Sequence, residues 1–438
     1  MNSKYTLAPA AKAKRIVAVD FRVDLVTFNE RQVDTKWFID AVTVVMRLVM
    51  LLMHKADCAL THRYTRHSKR SRPVQRLRLA PLDVTICQVR CLDCGAVFTI
   101  LPSAILPYQH YEVPLAQKLL EYNLIMSLGY RFQSILLEDL SPGGRRMAPM
   151  VAWRLMKWLG NAIPVATILM KVGLIPPSSI LEDEKFVSEA GHRSYIAAIF
   201  RSDLIWWIEY IQSTDEATMT NAFLGYKQTV QLLLPEYTVD SATVDGHTPT
   251  QAGLTTTFPG LGLQECRLHA QRSLNADIVT YGRANPEVKP ERLQRIGDDT
   301  WNALATSTSL QQFSQRIRRL REQVVDAPLL ESRMKKIFKK RNRLMQHLKT
   351  PDVETTSTSL DQAFKWLNRK YVQMQSFMSD AGASAFANAW AIARNFWRFM
   401  PGAKRAGQSP VEINGADLSG KAWLEVVNLC SYGVFCQA

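Results

Sequence analysis

The stretch "SSILEDEKFVSEAGHRSYIAAIFRSDLIWWIEYI", residues 178–211, decides the fold class. Three runs within it (178–187, 193–200 and 204–211) are short and rich in Ile, Phe, Tyr and Trp. They are separated by turn-length gaps, which predicts three consecutive strands. The segment that follows, "TDEATMTNAFLGYKQTVQLLLP" (214–235), has helical period: Met219, Phe223, Tyr226 and Leu233 share a face, with Thr214 the expected N-cap and Pro235 the stop. "YTVDSATVD" (237–245) reads as a strand, 250–258 as a helix and "LGLQECRLH" (261–269) as a further strand. Hairpin strands followed by helical crossovers predict a mixed α/β sheet.

Acids sit where such a sheet builds its sites. Asp183 lies in the first strand, and Asp245 ends the fourth, with Gly246 expected to let the backbone turn away. Two aspartates on neighbouring strands suit magnesium, which takes carboxylate oxygens together with water and phosphate. Glu182, Glu184 and Asp240 are competing acids nearby. Cys266 and His269 follow at a Cys-x-x-His spacing. Zinc would need two more ligands there and no Cys-x-x-Cys is close, so the pair reads as a structural brace around Asp245.

At 438 residues the chain exceeds one ordinary core. A hydrophobic fraction of 47%, with 21% charged residues, 20 Gly and 20 Pro, excludes long disordered tracts. The net charge of +15 and pI near 9.5 point to a polyanionic partner, because basic residues displace phosphate counterions. Seven irregularly spaced cysteines without a secretory signal exclude a disulfide scaffold and favour a reducing cytoplasm. "WFIDAVTVVMRLVMLLMH" (37–54) is barely long enough to span a bilayer and contains Asp40 and Arg47, so it reads as a buried helix with no membrane role.

Residues 54–78, "HKADCALTHRYTRHSKRSRPVQRLR", carry eight Lys or Arg against one Asp and precede "VRCLDCGAVFTILP" (89–102). The Cys-x-x-Cys turn makes Cys91 and Cys94 candidate zinc ligands, with Cys58 as a third. His54, His62 and His67 all stay open as the fourth, and a ribbon without metal is the alternative. Residues 111–163 predict three helices, the last beginning at Pro149 and basic, which suggests a helix-turn-helix. Arg145, Arg146, Arg154 and Lys157 are its expected DNA contacts, against the plainer reading of a helical bundle with solvated charges. Further helices are expected over 276–350, from Leu360 and over 384–399, then a loop-rich tail. The run "RMKKIFKKRNRLMQHLK" (333–349), with Lys336 and Lys340, is expected to follow phosphates without reading bases.

In this order the motifs resemble a bacterial insertion-sequence transposase of the DDE superfamily. Such proteins have an RNase H-like core with a helical insertion before the last carboxylate, and the mutator-like branch has a Cys-x-x-His after its second aspartate. "CLDCGAVFTILP", "TTSTSLDQAFKWLNRKYVQMQSF" (355–377) and "FWRFMPGAKRAGQSPVEINGADL" also look like this family, and the resemblance covers roughly residues 85–420. It implies a multidomain α/β protein. An unassigned extension (1–53) precedes a zinc-ribbon-like module (54–110) and a helix-turn-helix (111–165). The RNase H-like core (178–275 and 353–400) is interrupted by a helical insertion (276–352) and followed by a tail (401–438).

Asp183 and Asp245 match the first two catalytic acids. Asp361 stands where the family has glutamate, and Ser357 where it has asparagine; Glu412 is the alternative third acid. The resemblance further implies that Asp183, Asp245 and Asp361 hold Mg²⁺ or Mn²⁺. It implies binding of element ends and target double-stranded DNA, metal-dependent cleavage and strand transfer, and a homo-oligomer at the cytoplasmic nucleoid. The departures at 357 and 361 motivate the alternative of a DNA-binding protein without cleavage. A nuclease on the same core is a third reading.

Overall fold

The computed structural model describes residues 15–49, 54, 58, 63–143 and 148–433. The chain is mixed α/β and forms two compact units, Met1–Ile175 with Ala381–Ala438 and Pro176–Asp380.

Unit 1 is built on a four-stranded sheet of β1 (Ile16–Val19), β2 (Tyr64–Arg76), β3 (Leu79–Cys91) and β4 (Val97–Pro102) in the order β1-β4-β3-β2. β1 runs parallel to β4, and the remaining pairs are antiparallel. Ile16–Val19, within the stretch that the sequence left unassigned, thus forms an edge strand of this sheet. α1 (Leu25–Arg31) starts at Asp24, whose carboxylate accepts from the Val26 and Thr27 amides. α2 (Thr35–Val49) buries Phe38, Val42 and Met46 in the sheet core, a spacing of four that puts them on one face. No helix among the described residues is long and apolar enough to cross a membrane.

Helices then follow: α3 (Val113–Leu120) running into a π-helical turn at Glu121–Ile125, α4 (Tyr130–Leu140), α5 (Pro149–Gly160) and α6 (Val165–Lys171). Proline at the first turn opens α5, as its missing amide hydrogen is unbonded there anyway.

Unit 2 holds a five-stranded sheet of β5 (Ser179–Glu189), β6 (His192–Arg201), β7 (Leu204–Ile211), β8 (Ser241–Val244) and β9 (Gly262–Glu265), ordered β7-β6-β5-β8-β9. The first three strands form an antiparallel meander. Both hairpins turn on two residues with positive φ, Ala190 (46°) with Gly191 (85°) and Ser202 (52°) with Asp203 (63°), which matches the twist of the flanking strands. β8 and β9 are parallel to β5 and β8 and are reached through α7 (Glu216–Gln231) and α8 (Thr248–Thr257). The cap of α7 is Asp215, one residue later than expected, because its carboxylate reaches the Thr218 amide at 2.9 Å.

Beyond β9 the chain is helical: α9 (Arg267–Ala284), α10 (Pro290–Thr306), α11 (Leu310–Glu322), α12 (Pro328–Lys339) and α13 (Arg341–Leu344). They enclose a second apolar core around Leu274, Phe313, Ile317, Leu330 and Met334. α14 (Thr358–Met374) returns to the sheet, where the Ser188 amide donates to the Tyr371 hydroxyl at 2.7 Å.

The expected boundary at residue 400 moves. α15 (Asp380–Phe396) packs in unit 1, where its small residues let backbones meet: a Cβ on Gly160 would lie 1.8 Å from the Ala385 carbonyl oxygen. Asn388 bridges the same contact, donating to Gly160 O (3.0 Å) and accepting from Val165 N (3.2 Å). The tail is also more ordered than its loop-like composition suggests. α16 (Pro410–Ile413) has a capping box of Ser409 and Glu412, and α17 (Trp423–Tyr432) is largely buried.

Candidate functional site

Two clusters of metal-ligand side chains occur among the described residues, one in each unit. In unit 2 the cluster is Asp183, His269 and Asp361, whose ligand atoms all lie within 4.8 Å of one another. Three elements deliver them: β5, the first turn of α9 and the first turn of α14. The Leu181–Thr243 pair is the last in the β5–β8 register, so Asp183 within β5 and Asp245 just past the end of β8 each lie two residues beyond it. Asp245 is nevertheless outside the three-residue group. Its carboxylate accepts from the His247 amide at 2.6 Å, and Gln251 donates to its carbonyl at 2.9 Å. Gly246 is not left-handed. It makes room instead, since a Cβ there would lie 3.0 Å from Lys340 Nζ and 3.1 Å from Glu265 Oε1.

Electrostatics at this cluster are unusual. Burial pushes the Asp183 carboxyl up to about 6, with the His269 charge opposing and the Asp361 charge reinforcing the shift. Glu184 rises to about 7, chiefly through burial, although Thr250 donates a hydrogen bond to it. His269 is raised as well, to about 9, first through its hydrogen bond with Cys266, which for an imidazole favours the charged form. Burial works against ionisation of the Cys266 thiol, but hydrogen bonds from His269 and Ser357 outweigh it and hold the thiol below its usual range. Ser357 donates its amide to Cys266 Sγ at 3.4 Å, so this cysteine ties the start of α9 to the start of α14. Protonated, His269 is a counter-ion to the two aspartates; neutral, its ring could join Asp183 and Asp361 as a third metal donor.

Arg272 pairs with Asp361 at 3.1 Å and was not anticipated from the sequence. It sits one helical turn beyond His269, a spacing that puts both on one face of α9. The surrounding cavity of about 360 Å³ is lined by acids (Asp183, Glu184, Asp361) and cations (Lys185, Arg272, Lys365). Glu412 instead accepts two bonds from Arg398, at 2.6 and 3.1 Å, in unit 1.

In unit 1 the cluster is His54, Cys58, Cys91 and Cys94. Among the three histidines left open as the fourth ligand, His54 is the one brought in; His67 is exposed on β2 and His62 lies outside the described residues. His54 Nδ1 is 3.2 Å from Cys94 Sγ and 3.3 Å from Cys58 Sγ, and Cys58 Sγ is 3.9 Å from Cys91 Sγ. Tetrahedral zinc at its usual bond lengths has ligand–ligand edges of about 3.5–3.8 Å, and these separations bracket that range, which makes the donor set compatible with zinc. The Tyr64 hydroxyl lies 3.1 Å from the opposite ring nitrogen, Nε2.

The expected DNA-contact residues are distributed as follows. Arg154 is exposed on α5, Lys157 stacks over Trp153 at 5.0 Å, and Arg145 and Arg146 lie outside the described residues. Lys336 is exposed on α12, whereas Lys340 is engaged with Glu265 at 2.5 Å. Two more cations of the 333–349 run are ion-paired, Arg333 with Asp277 (2.6 Å) and Lys335 with Glu331 (2.9 Å). No protein-family model matches the chain, and no curated protein matches it either.

Proposed function

We propose that unit 2 is a metal-dependent phosphoryl-transfer core of the RNase H-like kind and that the protein is a DDE-type transposase. The observation that carries the reading is the approach of Asp183 on β5 to Asp361 on α14, with Asp245 just past the end of the adjacent strand β8, in a sheet ordered β7-β6-β5-β8-β9. The carboxylates approach within 4.8 Å of one another, and small side-chain movements would bring their oxygens onto one Mg²⁺ or Mn²⁺, whose opposite oxygens lie about 4.2 Å apart. A divalent ion bound there would supply Lewis acidity toward a phosphodiester. The protein's own groups do the positioning: Arg272 and Lys365 at the cavity offer cations to the phosphate, and His269 balances carboxylate charge.

In unit 1, His54, Cys58, Cys91 and Cys94 would hold a structural zinc in a ribbon-like module, while exposed Arg154 offers a phosphate contact. The reading is of a protein acting on double-stranded DNA as a homo-oligomer. It is tested with duplexes drawn from the DNA flanking its own gene. Cleavage should require Mg²⁺ or Mn²⁺ and vanish in Asp183→Ala and Asp361→Ala, while duplex binding persists. The Asp361–Arg272 ion pair favours a second reading, a DNA-binding protein whose third acid is occupied. Duplex binding without cleavage in either metal would decide for it.

A further inference from the structure

We infer that unit 1 carries a phosphate-binding pocket on its four-stranded sheet, built around the Arg72 guanidinium and taking a phosphate monoester or diester. The pocket is a cavity of about 330 Å³, and Arg70, Ser71 and Arg72 of β2 form one wall. Thr99 of β4 and His110 form others, over an apolar floor of Ile16 and Leu101.

Arg72 is the anomaly that marks it. The residue is only 9% exposed, yet among the described residues its guanidinium makes a single long hydrogen bond, from Nη2 to the Leu106 carbonyl at 3.5 Å, and has no carboxylate partner. A buried cation is costly unless paired, and this one opens onto a cavity rather than onto packed apolar atoms. Buried Arg267, by contrast, reaches the Leu344 carbonyl and both ring nitrogens of His347. Arg70 brings a second positive charge to the same cavity, and burial together with Arg70 lowers Arg72 to about 10.

The remaining donors suit a tetrahedral oxyanion. The Thr99 hydroxyl accepts from Gln88 Nε2 at 3.2 Å and keeps its own proton to donate. His110 Nδ1 donates to the Pro73 carbonyl at 3.2 Å, which fixes the ring at the pocket; Nε2 becomes a donor to phosphate when the imidazole is protonated. Two guanidinium forks with hydroxyl donors match phosphate, with more acceptor sites than a carboxylate offers. Tyr108, at the rim with φ of 62° and 59% exposure, gives the organic side of the ester an aromatic contact.

The site is independent of the chemistry proposed for unit 2, so full-length protein with Asp183→Ala should retain it. The test compares thermal unfolding of full-length protein in inorganic phosphate and in chloride of equal ionic strength, alongside binding of a labelled DNA duplex. Phosphate at about a hundredfold over its Kd should raise the wild-type melting temperature by roughly 5 °C. Arg72→Gln should abolish that shift while melting in chloride at or above the wild type, because an unpaired buried charge has been removed. Arg70→Gln, at the exposed mouth, should weaken the shift without altering the fold. A lost phosphate shift with unchanged duplex affinity identifies a small phosphate ester as the ligand. A duplex affinity lowered about tenfold by Arg72→Gln identifies a DNA phosphate, whether or not free phosphate also binds. An equal phosphate shift in both proteins with unchanged duplex affinity overturns the inference. So does the absence of both effects, or destabilisation by Arg72→Gln in chloride.

Discussion

Replacing Tyr64 with Phe deletes one oxygen atom, and the zinc proposal makes its cost calculable. His54 directs Nδ1 toward the sulfurs of Cys94 and Cys58, so zinc would be held by Nδ1 and the ring proton would sit on Nε2, 3.1 Å from the Tyr64 hydroxyl. Burial, reinforced by the three thiol groups, holds that hydroxyl protonated far above its ordinary range, so it remains a neutral partner that can accept from Nε2. Hydrogen bonds of this kind orient metal-bound imidazoles, and their loss weakens metal binding about 10- to 100-fold. That corresponds to about 1.4–2.7 kcal/mol. At a free zinc concentration above both dissociation constants, unit 1 should lose the same amount of stability. The assay is competition between protein and a chromogenic zinc chelator, with metal content read by mass spectrometry. Wild-type protein should carry about one zinc per chain. Tyr64→Phe with wild-type affinity would refute the orienting role, and wild-type protein that binds no zinc would refute the cluster assignment itself.

Gly160→Ala should destabilise unit 1 by about 3 kcal/mol, because the new methyl collides with the Ala385 carbonyl and disturbs the Asn388 bridge; a loss below about 1 kcal/mol in denaturant unfolding would contradict the packing. Asp183→Asn should abolish cleavage yet stabilise metal-free protein by about 1–2 kcal/mol above pH 6, where the wild-type carboxylate is charged despite burial beside Asp361. His347 is held down to about 4, first by burial and then by the Arg267 charge. Between about pH 4 and 6.5 the unfolded chain therefore binds the extra proton, and stability rises with pH across that window. His347→Gln should flatten this part of the stability profile, and an unchanged slope would count against the assignment.

Periodicity carried much of the unit 2 sheet. The β5–β7 meander is legible because its strands are short, apolar and cut by residues able to take positive φ, and α7 is legible from its apolar stripe. Other features depend on distant contacts that no local pattern encodes. β1 is four residues of ordinary sequence whose partner strand begins at Val97. The alanines of α15 read as a generic helix, and only the contact at Gly160 reveals which unit they join. At the site, Asp183 and Asp361 were singled out by strand position and motif context. That His269 and Arg272 reach Asp361 depends on how α9 meets α14, which the Cys-x-x-His spacing alone does not specify.

Because unit 1 is closed by residues 381–438, the order of synthesis on the ribosome constrains its assembly. Hydrogen bonds tie α17 back to the earlier part of the unit, among them Ser103 donating to Glu425 at 2.6 Å, Asn428 donating to the Ser103 carbonyl at 2.9 Å, and Lys171 donating to the Cys430 carbonyl at 2.6 Å. At roughly 5–20 residues per second, the intervening unit takes on the order of 10–40 s to emerge. During that interval the face of unit 1 that will receive α15 and α17 has no cover from its own chain. A nascent protein stalled after Asp380 would offer that face to chaperones or to other copies, while the whole of unit 2 has already been made.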